Sequence, residues 1–256
     1  MSFFKKALAT IGIGNAKIDA RLEKSDWNQG EEVRGELVLT GGSVVQKIED
    51  IFMEVCCTYI REVDDKKISD TAVLERFRIS QQTELGPNEE RKVPFSFVLP
   101  YETPITAGSS KVWVRTQLGI ESGVDSSDYD PITVKPGNIT AKVLDTFRSL
   151  GFQTRKVENE YVKRYARGRY PFLQEFEFYP VSGPFYRAFD EVEVAFRFRS
   201  EDNVDLLMEV DRRGRGLMGL LSEALEMDES KVSLNVNSQN IHQLPAMIED
   251  VLQRYR

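Results

Sequence analysis

The sequence contains little of the chemistry that enzymes most often use. Its 256 residues include two cysteines, Cys56 and Cys57, and a single histidine, His242. A Ser-His-Asp or Cys-His arrangement would have to use His242, and no nucleophile elbow lies near it. Two cysteines and one histidine also lack the fourth ligand and the paired spacing of a zinc site. The sequence therefore predicts no catalytic residue, no metal site and a protein that is not an enzyme.

Motifs that bind phosphate are missing as well. Gly12 and Gly14 lack the third glycine and the preceding strand of a dinucleotide fingerprint, and no GxxxxGK[ST] motif occurs. We therefore expect no cofactor. Asp125, Asp128 and Asp130 lack the glycine and the downstream glutamate of an EF-hand loop, which favours a solvated linker over a calcium site. A net charge of −7 argues against a nucleic-acid partner.

No apolar run approaches the ~20 residues that a membrane-spanning helix needs. Cys56 and Cys57 are adjacent in an apolar strand, where neighbouring side chains point to opposite faces and cannot form an unstrained disulfide. The short, glycine-broken apolar stretch at the amino terminus is followed by no cleavage site of a signal peptide. These features predict a cytoplasmic protein.

The first eleven residues have the spacing of an amphipathic helix. Phe3, Phe4 and Leu8 fall on one side, and Lys5 and Lys6 lie elsewhere. One interpretation is a helix that docks on its own domain or on a second copy of the chain. The alternative is an anchor at a membrane surface. Because only two lysines accompany the apolar side, the sequence favours docking.

The following segment, up to about residue 130, reads as an antiparallel β-sandwich. In the strand 30–39, Val33, Leu37 and Leu39 alternate with polar residues, and Gly35 permits a bulge or a close backbone approach. Apolar residues also alternate through the strand 93–99, which prolines bound. Together with the strand 111–118, this order resembles the amino-terminal half of the arrestin fold. The polar segment 121–137 is predicted to be an extended connector.

The second half combines strands with amphipathic helices. Helical spacing over 139–150 predicts a helix that Gly151 ends. Strands are predicted over 172–179, 191–199, 204–210 and 232–236, with Glu191 and Glu193 facing outward. A second helical stripe covers 217–225. The last stripe, 244–255, predicts a carboxyl-terminal helix with Pro245 in its first turn, packed on the second domain or on a partner copy.

The predicted fold is therefore mainly β, with an amino-terminal antiparallel sandwich and a β-rich carboxyl-terminal domain that carries short helices. Its four predicted parts are a short helix over 1–12, an arrestin-like sandwich over 13–134, a β-rich domain over 135–238 and an amphipathic helix over 239–256.

Several segments carry a resemblance to a known family. They are 211–217 before 222–225, the run 144–152, the strand 189–196 and the opening residues 3–6 with 12–17. These resemble the bacterial sporulation-control family (stage 0 sporulation protein M, SpoOM), including the start of its Bacillus members. The resemblance covers essentially the whole chain. It implies a cytoplasmic regulator of sporulation on an arrestin-like scaffold, with no catalytic or cofactor residues to carry over.

Two basic groups are candidates for recognition in this acidic chain. The first is a basic and aromatic turn that includes Arg155 and Lys156, and the second precedes the helical stripe over 217–225. The candidate residues are Lys163, Arg164, Arg167 and Arg169 in the turn, and Arg212, Arg213 and Arg215 in the second group. Each group fits an acidic protein, a phosphorylated protein or an anionic surface. Each also fits a solvated outer face or pairing with nearby acids.

The functional prediction is a non-catalytic adaptor that binds protein partners through sheet edges and loops. A sensor at a membrane surface, using the amino-terminal segment and the basic turn, is the alternative. We also predict a homodimer through the amino-terminal half. Phe3, Phe4 or Leu8 would lie at the contact, and the apolar run 51–60 would supply an exposed edge.

Overall fold

The computed structural model describes residues 15–121, 124–163, 168–211 and 231–256. Within these ranges the chain is mostly β-strand and forms two compact units. The first unit comprises Val73–Pro100, Val112–Val134 and the described part of Met1–Cys57. The second comprises Thr58–Ala72, Tyr101–Lys111 and the described part of Lys135–Arg256. Strands β4 and β5 therefore contribute residues to both units, and so does β9 through its last residue, Lys135.

The first nine strands supply the two sheets of the first unit. Their bounds are β1 (Lys17–Leu22), β2 (Asp26–Asn28), β3 (Glu32–Thr40), β4 (Gln46–Val63), β5 (Lys66–Ser80), β6 (Thr83–Leu85), β7 (Glu90–Val98), β8 (Val112–Ile120) and β9 (Ser126–Lys135). One sheet has the antiparallel order β1-β3-β7. In the other, β4 pairs with β5 and β6 on one side and with β8 on the other, and β9 and β2 follow β8.

Strand β3 has the alternation that its sequence predicts, with Val33, Leu37 and Leu39 fully buried. Gly35 lies at a close approach, because a Cβ there would meet the carbonyl oxygen of Arg21 and would lie 2.6 Å from Cζ of Phe95. The register of β3 is continuous with both neighbours, so the close approach and not a bulge explains this glycine.

Two expectations for this half are wrong. The segment predicted to be a connector contains β9, which pairs with β8 from Val112↔Ile132 to Leu118↔Ser126. The apolar run 51–60 is not an exposed edge, because β4 has paired strands on both sides. Local patterning showed an apolar strand, but only the long-range pairing determines its place inside the sheet.

The second unit is built on one sheet with the order β14-β13-β12-β11-β10-β4. Its remaining strands are β10 (Phe152–Tyr161), β11 (Phe172–Pro180), β12 (Glu191–Ser200), β13 (Asn203–Asp211) and β14 (Lys231–Asn237). Neighbours from β10 to β14 are antiparallel, and β10 pairs with β4 in parallel at Glu160↔Ile60. The strands predicted at 172–179, 191–199, 204–210 and 232–236 are confirmed.

Helices α1 (Asn138–Ser149) and α2 (Leu244–Arg254) contribute to one hydrophobic core with this sheet, and a 3-10 turn (Ile241–Gln243) precedes α2. The ring of Phe147 on α1 stacks on Phe178 of β11, with centroids 4.2 Å apart. Leu244, Ile248 and Leu252 of α2 are buried in the same core. The predicted docking of the carboxyl-terminal helix on the second domain is confirmed.

Helix α1 ends as its sequence predicts. Gly151 has φ +87°, a left-handed conformation that favours glycine after a helix. Its N–H donates to the carbonyl of Arg148, and a Cβ there would meet the carbonyl oxygen of Ser182. The helix predicted over 217–225 lies outside the described residues. Among those that are described, no helix combines the length and apolar character needed to cross a membrane.

Replacing Ile248 with alanine should destabilise the protein by about 2–5 kcal/mol, because its side chain is fully buried in the core beneath α2. Urea unfolding monitored by circular dichroism measures this change. Glu249→Ala is the matched control, since Glu249 is an exposed neighbour on the same helix. Equal stability of the two variants would contradict the packing of α2 described above.

Candidate interaction surface

The connection between β10 and β11 presents the clearest recognition feature of the described chain. We call residues 161–172 the basic hairpin. The N–H of Val162 donates to the carbonyl of Pro171 over 2.9 Å and closes its base. Tyr161, Lys163 and Arg169 are exposed at this base. The predicted residues Arg164 and Arg167 lie outside the described residues, so the structure places two of the four predicted cations here.

An aromatic stack anchors one side of the basic hairpin. Tyr170 stacks on Phe172 with centroids 5.9 Å apart, and Phe172 stacks on Tyr59 of β4 at 5.6 Å. The guanidinium carbon of Arg169 lies 5.5 Å from the Tyr170 centroid, within the range of a cation–π contact. Sequence reasoning missed Tyr59, because it lies far from the hairpin along the chain.

The hairpin is also anchored by aliphatic packing. Val162, Leu173 and Ala195 form a small buried cluster, against which Leu207 packs. Residues on either side of the exposed Lys163 and Arg169 are therefore fixed by ring stacking and by this cluster. A surface held in this way loses less conformational entropy on binding than a free loop does.

A layer of buried amides lies between the aromatic stack and the main core. Gln174 Nε2 donates to the carbonyl of Ile105 over 2.8 Å, and its Oε1 accepts from the N–H of Ile105 over 2.9 Å. Asn159 Nδ2 donates to the carbonyl of Thr58 and to Ser110 Oγ. These bonds attach the segment 101–111 and the end of β4 to the sheet.

Burial and nearby charges change the acidity of two tyrosines around the hairpin. Burial raises the pKa of Tyr59, and the negative charge of Asp70 raises it further. Burial and then Glu102 raise the pKa of Tyr101, whereas Arg169 lowers it. Both phenols therefore remain neutral hydrogen-bonding groups at neutral pH. The exposed cations Lys163 and Arg169 supply the positive charge of the surface.

Arg155 and Lys156 do not belong to the basic hairpin, contrary to the grouping that the sequence favoured. A register shift between Thr154 and Lys156 makes a β-bulge at Arg155. Arg155 Nη1 lies 3.0 Å from Glu177 and 2.9 Å from Glu191. Lys156 Nζ lies 2.8 Å from Glu158. Both cations are thus neutralised by acids of the sheet and are not available to a partner.

The prediction that Glu193 faces solvent is wrong. Glu193 is only 4% exposed, although it lies on the face opposite the aromatic core. The alternation of β12 identified its face correctly, but whether a face is covered depends on distant residues. Glu191, its neighbour on that face, is partly buried and paired with Arg155.

The remaining predicted recognition residues lie outside the described residues. These are Arg212, Arg213 and Arg215, and the dimer candidates Phe3, Phe4 and Leu8.

The groups considered for catalysis have the following environments. His242 is exposed in the 3-10 turn. Cys56 and Cys57 are free and buried, and burial raises the pKa of Cys56 to about 11 and raises that of Cys57 as well. These thiols are therefore protonated at neutral pH and poorly nucleophilic. In the described ranges, no three His, Cys, Asp or Glu side chains are grouped to hold a metal ion.

Several outer strands carry features that oppose pairing with another chain. Asp128 Oδ2 accepts the N–H of Ala20 in β1 over 2.7 Å. Pro94, in β7, provides no N–H donor. Asn240 Nδ2 donates to the carbonyl of Asn235 in β14. Such features reduce edge-to-edge association. Strand β5, with fifteen residues, is the longest outer strand among those described.

Comparisons with known proteins agree on one family. The family model described as SpoOM protein matches residues 4–214. The chain is 38% identical over 258 aligned residues to the sporulation-control protein spo0M of Bacillus subtilis (strain 168), covering 100% of this chain and 99% of that protein. It also resembles the crystal structure of Spo0M, the sporulation control protein of Bacillus subtilis. The TM-score is 0.87 at 36% identity, over 95% of this chain and 100% of the other.

Replacing Gln174 with methionine should release the segment 101–111, because the N–H and the carbonyl of Ile105 would both lose a buried partner. The carbonyl still accepts from the N–H of Ala107, so the N–H of Ile105 is the group left unsatisfied, at an expected cost of about 1–3 kcal/mol. Hydrogen–deuterium exchange should become faster in that segment. Gln153→Met is the control, since Gln153 accepts only an exposed bond from Tyr179. Unchanged exchange at 101–111 would show that the amide layer does not hold it.

Proposed function

The chain belongs to the SpoOM protein family, and we propose that it is a cytoplasmic, non-catalytic regulator of sporulation that acts as a protein-interaction adaptor. Similarity over the full length to a relative named for sporulation control supports the regulatory part. The arrestin-like character of the sequence supports the adaptor part, because sandwiches of that kind bind partners through loops and edges.

The basic hairpin is the observation that carries the adaptor proposal. Tyr161 is 42% exposed, and the exposed cations Lys163 and Arg169 accompany it on an anchored base. Tyrosine and arginine are the residue types that interfaces favour, and a fixed base lowers the entropic cost of binding. Because the exposed charges are positive in a chain of net charge −7, the partner we propose is an acidic segment of another protein.

A homodimer through the amino-terminal half is part of the proposal. The apolar residues Phe3, Phe4 and Leu8 support it, because their helical spacing predicts an apolar side that needs cover. The run 51–60 is no longer a candidate for its contact, since β4 is paired on both sides. The dimer and the hairpin use different parts of the chain and can be tested separately.

Reversing the hairpin charges with Lys163→Glu and Arg169→Glu should prevent the protein from supporting sporulation in its own host. We expect the gene deletion to lower the yield of heat-resistant spores and the wild-type gene to restore it. The double variant should fail to do so, because two reversed charges lower affinity for an acidic partner by about tenfold or more. Lys142→Glu with Arg148→Glu, an equal charge change on exposed residues of α1, should restore it.

A photo-crosslinking amino acid at Tyr161 should trap a protein partner in sporulating cells. The same group at Tyr129, which is 58% exposed in the first unit, is the matched control. Trapping at neither position, or equally at both, would contradict the hairpin as the adaptor surface. Flotation of the wild-type protein with anionic vesicles, lost in the double variant, would identify a membrane surface in place of a protein.

Deleting residues 1–11 should convert a dimer into a monomer, because it removes Phe3, Phe4 and Leu8 together. Light scattering at micromolar concentration measures the mass of both forms. Full-length protein with Ile248→Ala serves as a control for loss of stability without loss of the contact. A full-length protein that is already a monomer would end the dimer proposal.

A further inference from the structure

The sheet of the second unit carries a row of charged residues that lie directly opposite one another on five strands. The pairing places Lys156 opposite Glu177, Glu177 opposite Glu193, Glu193 opposite Glu209, and Glu209 opposite Lys231. We call these five residues the carboxylate row. Directly opposed side chains have Cβ atoms about 4.5–5.5 Å apart, and like charges at that distance repel. Glu177, Glu193 and Glu209, which lie side by side on adjacent strands, would therefore repel one another if all three were ionised.

Solvent does not screen the centre of the row. Glu193 and Glu177 are more than nine-tenths buried, and so is Glu175, their neighbour on the same face. Burying an ionised carboxylate without a cation is costly enough that such groups usually take up a proton. The centre of the row thus combines two effects, desolvation and repulsion, that both oppose a negative charge.

Lysines stand at both ends of the row, and the ion pairs of Arg155, Lys156 and Lys67 lie around its β10 end. Arg155 contacts Glu177 and Glu191, and Lys156 contacts Glu158 and Glu160. Lys67 of β5 contacts Glu158 and Glu160 as well. The ionisable groups of the face, strand by strand, include Lys67 on β5, Arg155, Lys156, Glu158 and Glu160 on β10, Glu175, Glu177 and Tyr179 on β11, Glu191, Glu193, Arg197 and Arg199 on β12, Asp205, Glu209 and Asp211 on β13, and Lys231 on β14; Arg197 and Arg199 both contact Asp205.

The pKa of Glu193 is raised further than that of Glu175, because its surroundings disfavour the ionised form more strongly. Burial raises its pKa to about 9, and the carboxylates of Glu175, Glu209, Glu191 and Glu177 add to the effect in that order. Burial, followed by Glu160, raises the pKa of Glu175 to about 8, although Lys156 partly offsets this. Glutamates with such values are neutral acids at neutral pH.

We propose that the carboxylate row is a proton-responsive element, in which Glu193 stays neutral in the folded second unit and loosens β11, β12 and β13 when it ionises. A neutral Glu193 separates the charges of Glu177 and Glu209. An ionised Glu193 joins them in a line of three negative charges across adjacent strands. The element goes beyond the proposed function and does not depend on the basic hairpin.

The direction of the pH dependence follows from the proton balance. In the unfolded chain Glu193 has an ordinary pKa near 4.5, so unfolding at neutral pH releases a proton that the folded state holds. The contribution of this proton to stability is fully present below the unfolded pKa. It is lost as the pH rises towards the folded value of about 9. The second unit should therefore open more readily as the pH increases.

Hydrogen–deuterium exchange of the full-length protein between about pH 6 and about pH 9 tests the proposal. The readout is the protection factor, corrected for the intrinsic exchange rate, of peptides from β11, β12 and β13. Both tryptophans, Trp27 and Trp113, lie in the first unit, so tryptophan fluorescence would not report this opening. In the wild-type protein, release of the Glu193 proton on opening should lower the protection factors about tenfold for each pH unit. Glu193→Gln should remove this part of the decrease.

The control is Glu201→Gln, an exposed glutamate in the turn after β12, which should retain the wild-type slope. Glu175→Gln should change the slope only below about pH 8, where that group is still protonated. The same slope in wild type and Glu193→Gln would overturn the proposal. A Glu193→Gln protein that does not fold would also overturn it, because glutamine reproduces the shape and neutrality of the protonated acid.

Discussion

Burial of one aromatic sheet face determines how the second unit is built. Phe176, Phe178 and Phe196 come from adjacent strands and lie on the same side of the sheet, where two helices and residues of the connecting segments, such as Ile105 and Phe185, complete the core. The parallel stack of Phe147 on Phe178 places α1 on this face, and the apolar stripe of α2 enters the same core. Because strand side chains alternate with a period of two, every residue between these phenylalanines is directed to the opposite face. The arrangement of acids on that face is thus a direct consequence of the aromatic core.

The opposite face shows how a sheet can carry many acids and remain folded. A β-bulge at Arg155 directs two successive cations, Arg155 and Lys156, towards the same acids. Their ion pairs offset the negative charge of Glu177, Glu158 and the neighbouring acids. Among the described residues, the ion pairs of Arg155 and Lys156 involve Glu177, Glu191, Glu158 and Glu160 and not Glu193, and protonation lowers the charge in the middle of β12. The β-bulge at Arg155 and the proton on Glu193 therefore both lower the negative charge of this face, the first near β10 and the second at β12.

Much of the secondary structure could be predicted from local patterns. Helix α1 was identified with its terminal Gly151, α2 with its buried stripe, and four of the five strands described in the second half, β11 to β14, closely matched the observed bounds, whereas β10 was not predicted. Three features could not be found in this way. The segments 58–72 and 101–111 belong to the second unit, β4 is an interior strand, and β9 replaces a connector. All three depend on pairing between distant residues, which periodicity in a short window does not encode.

The candidate surface was predictable to a similar degree. The unusual density of cations and aromatic residues around Lys163 and Arg169 identified the hairpin, since these residues are neighbours in sequence. Tyr59 and the Val162 cluster could not be identified, although they are what hold the hairpin base in place. Composition thus indicates which residues a partner would contact, whereas the rigidity of the surface comes from packing with other strands. The acids that pair with Arg155 and Lys156 belong to the sheet, whereas Lys163 and Arg169 are exposed at the anchored base of the hairpin, where fixed side chains lower the entropic cost of binding.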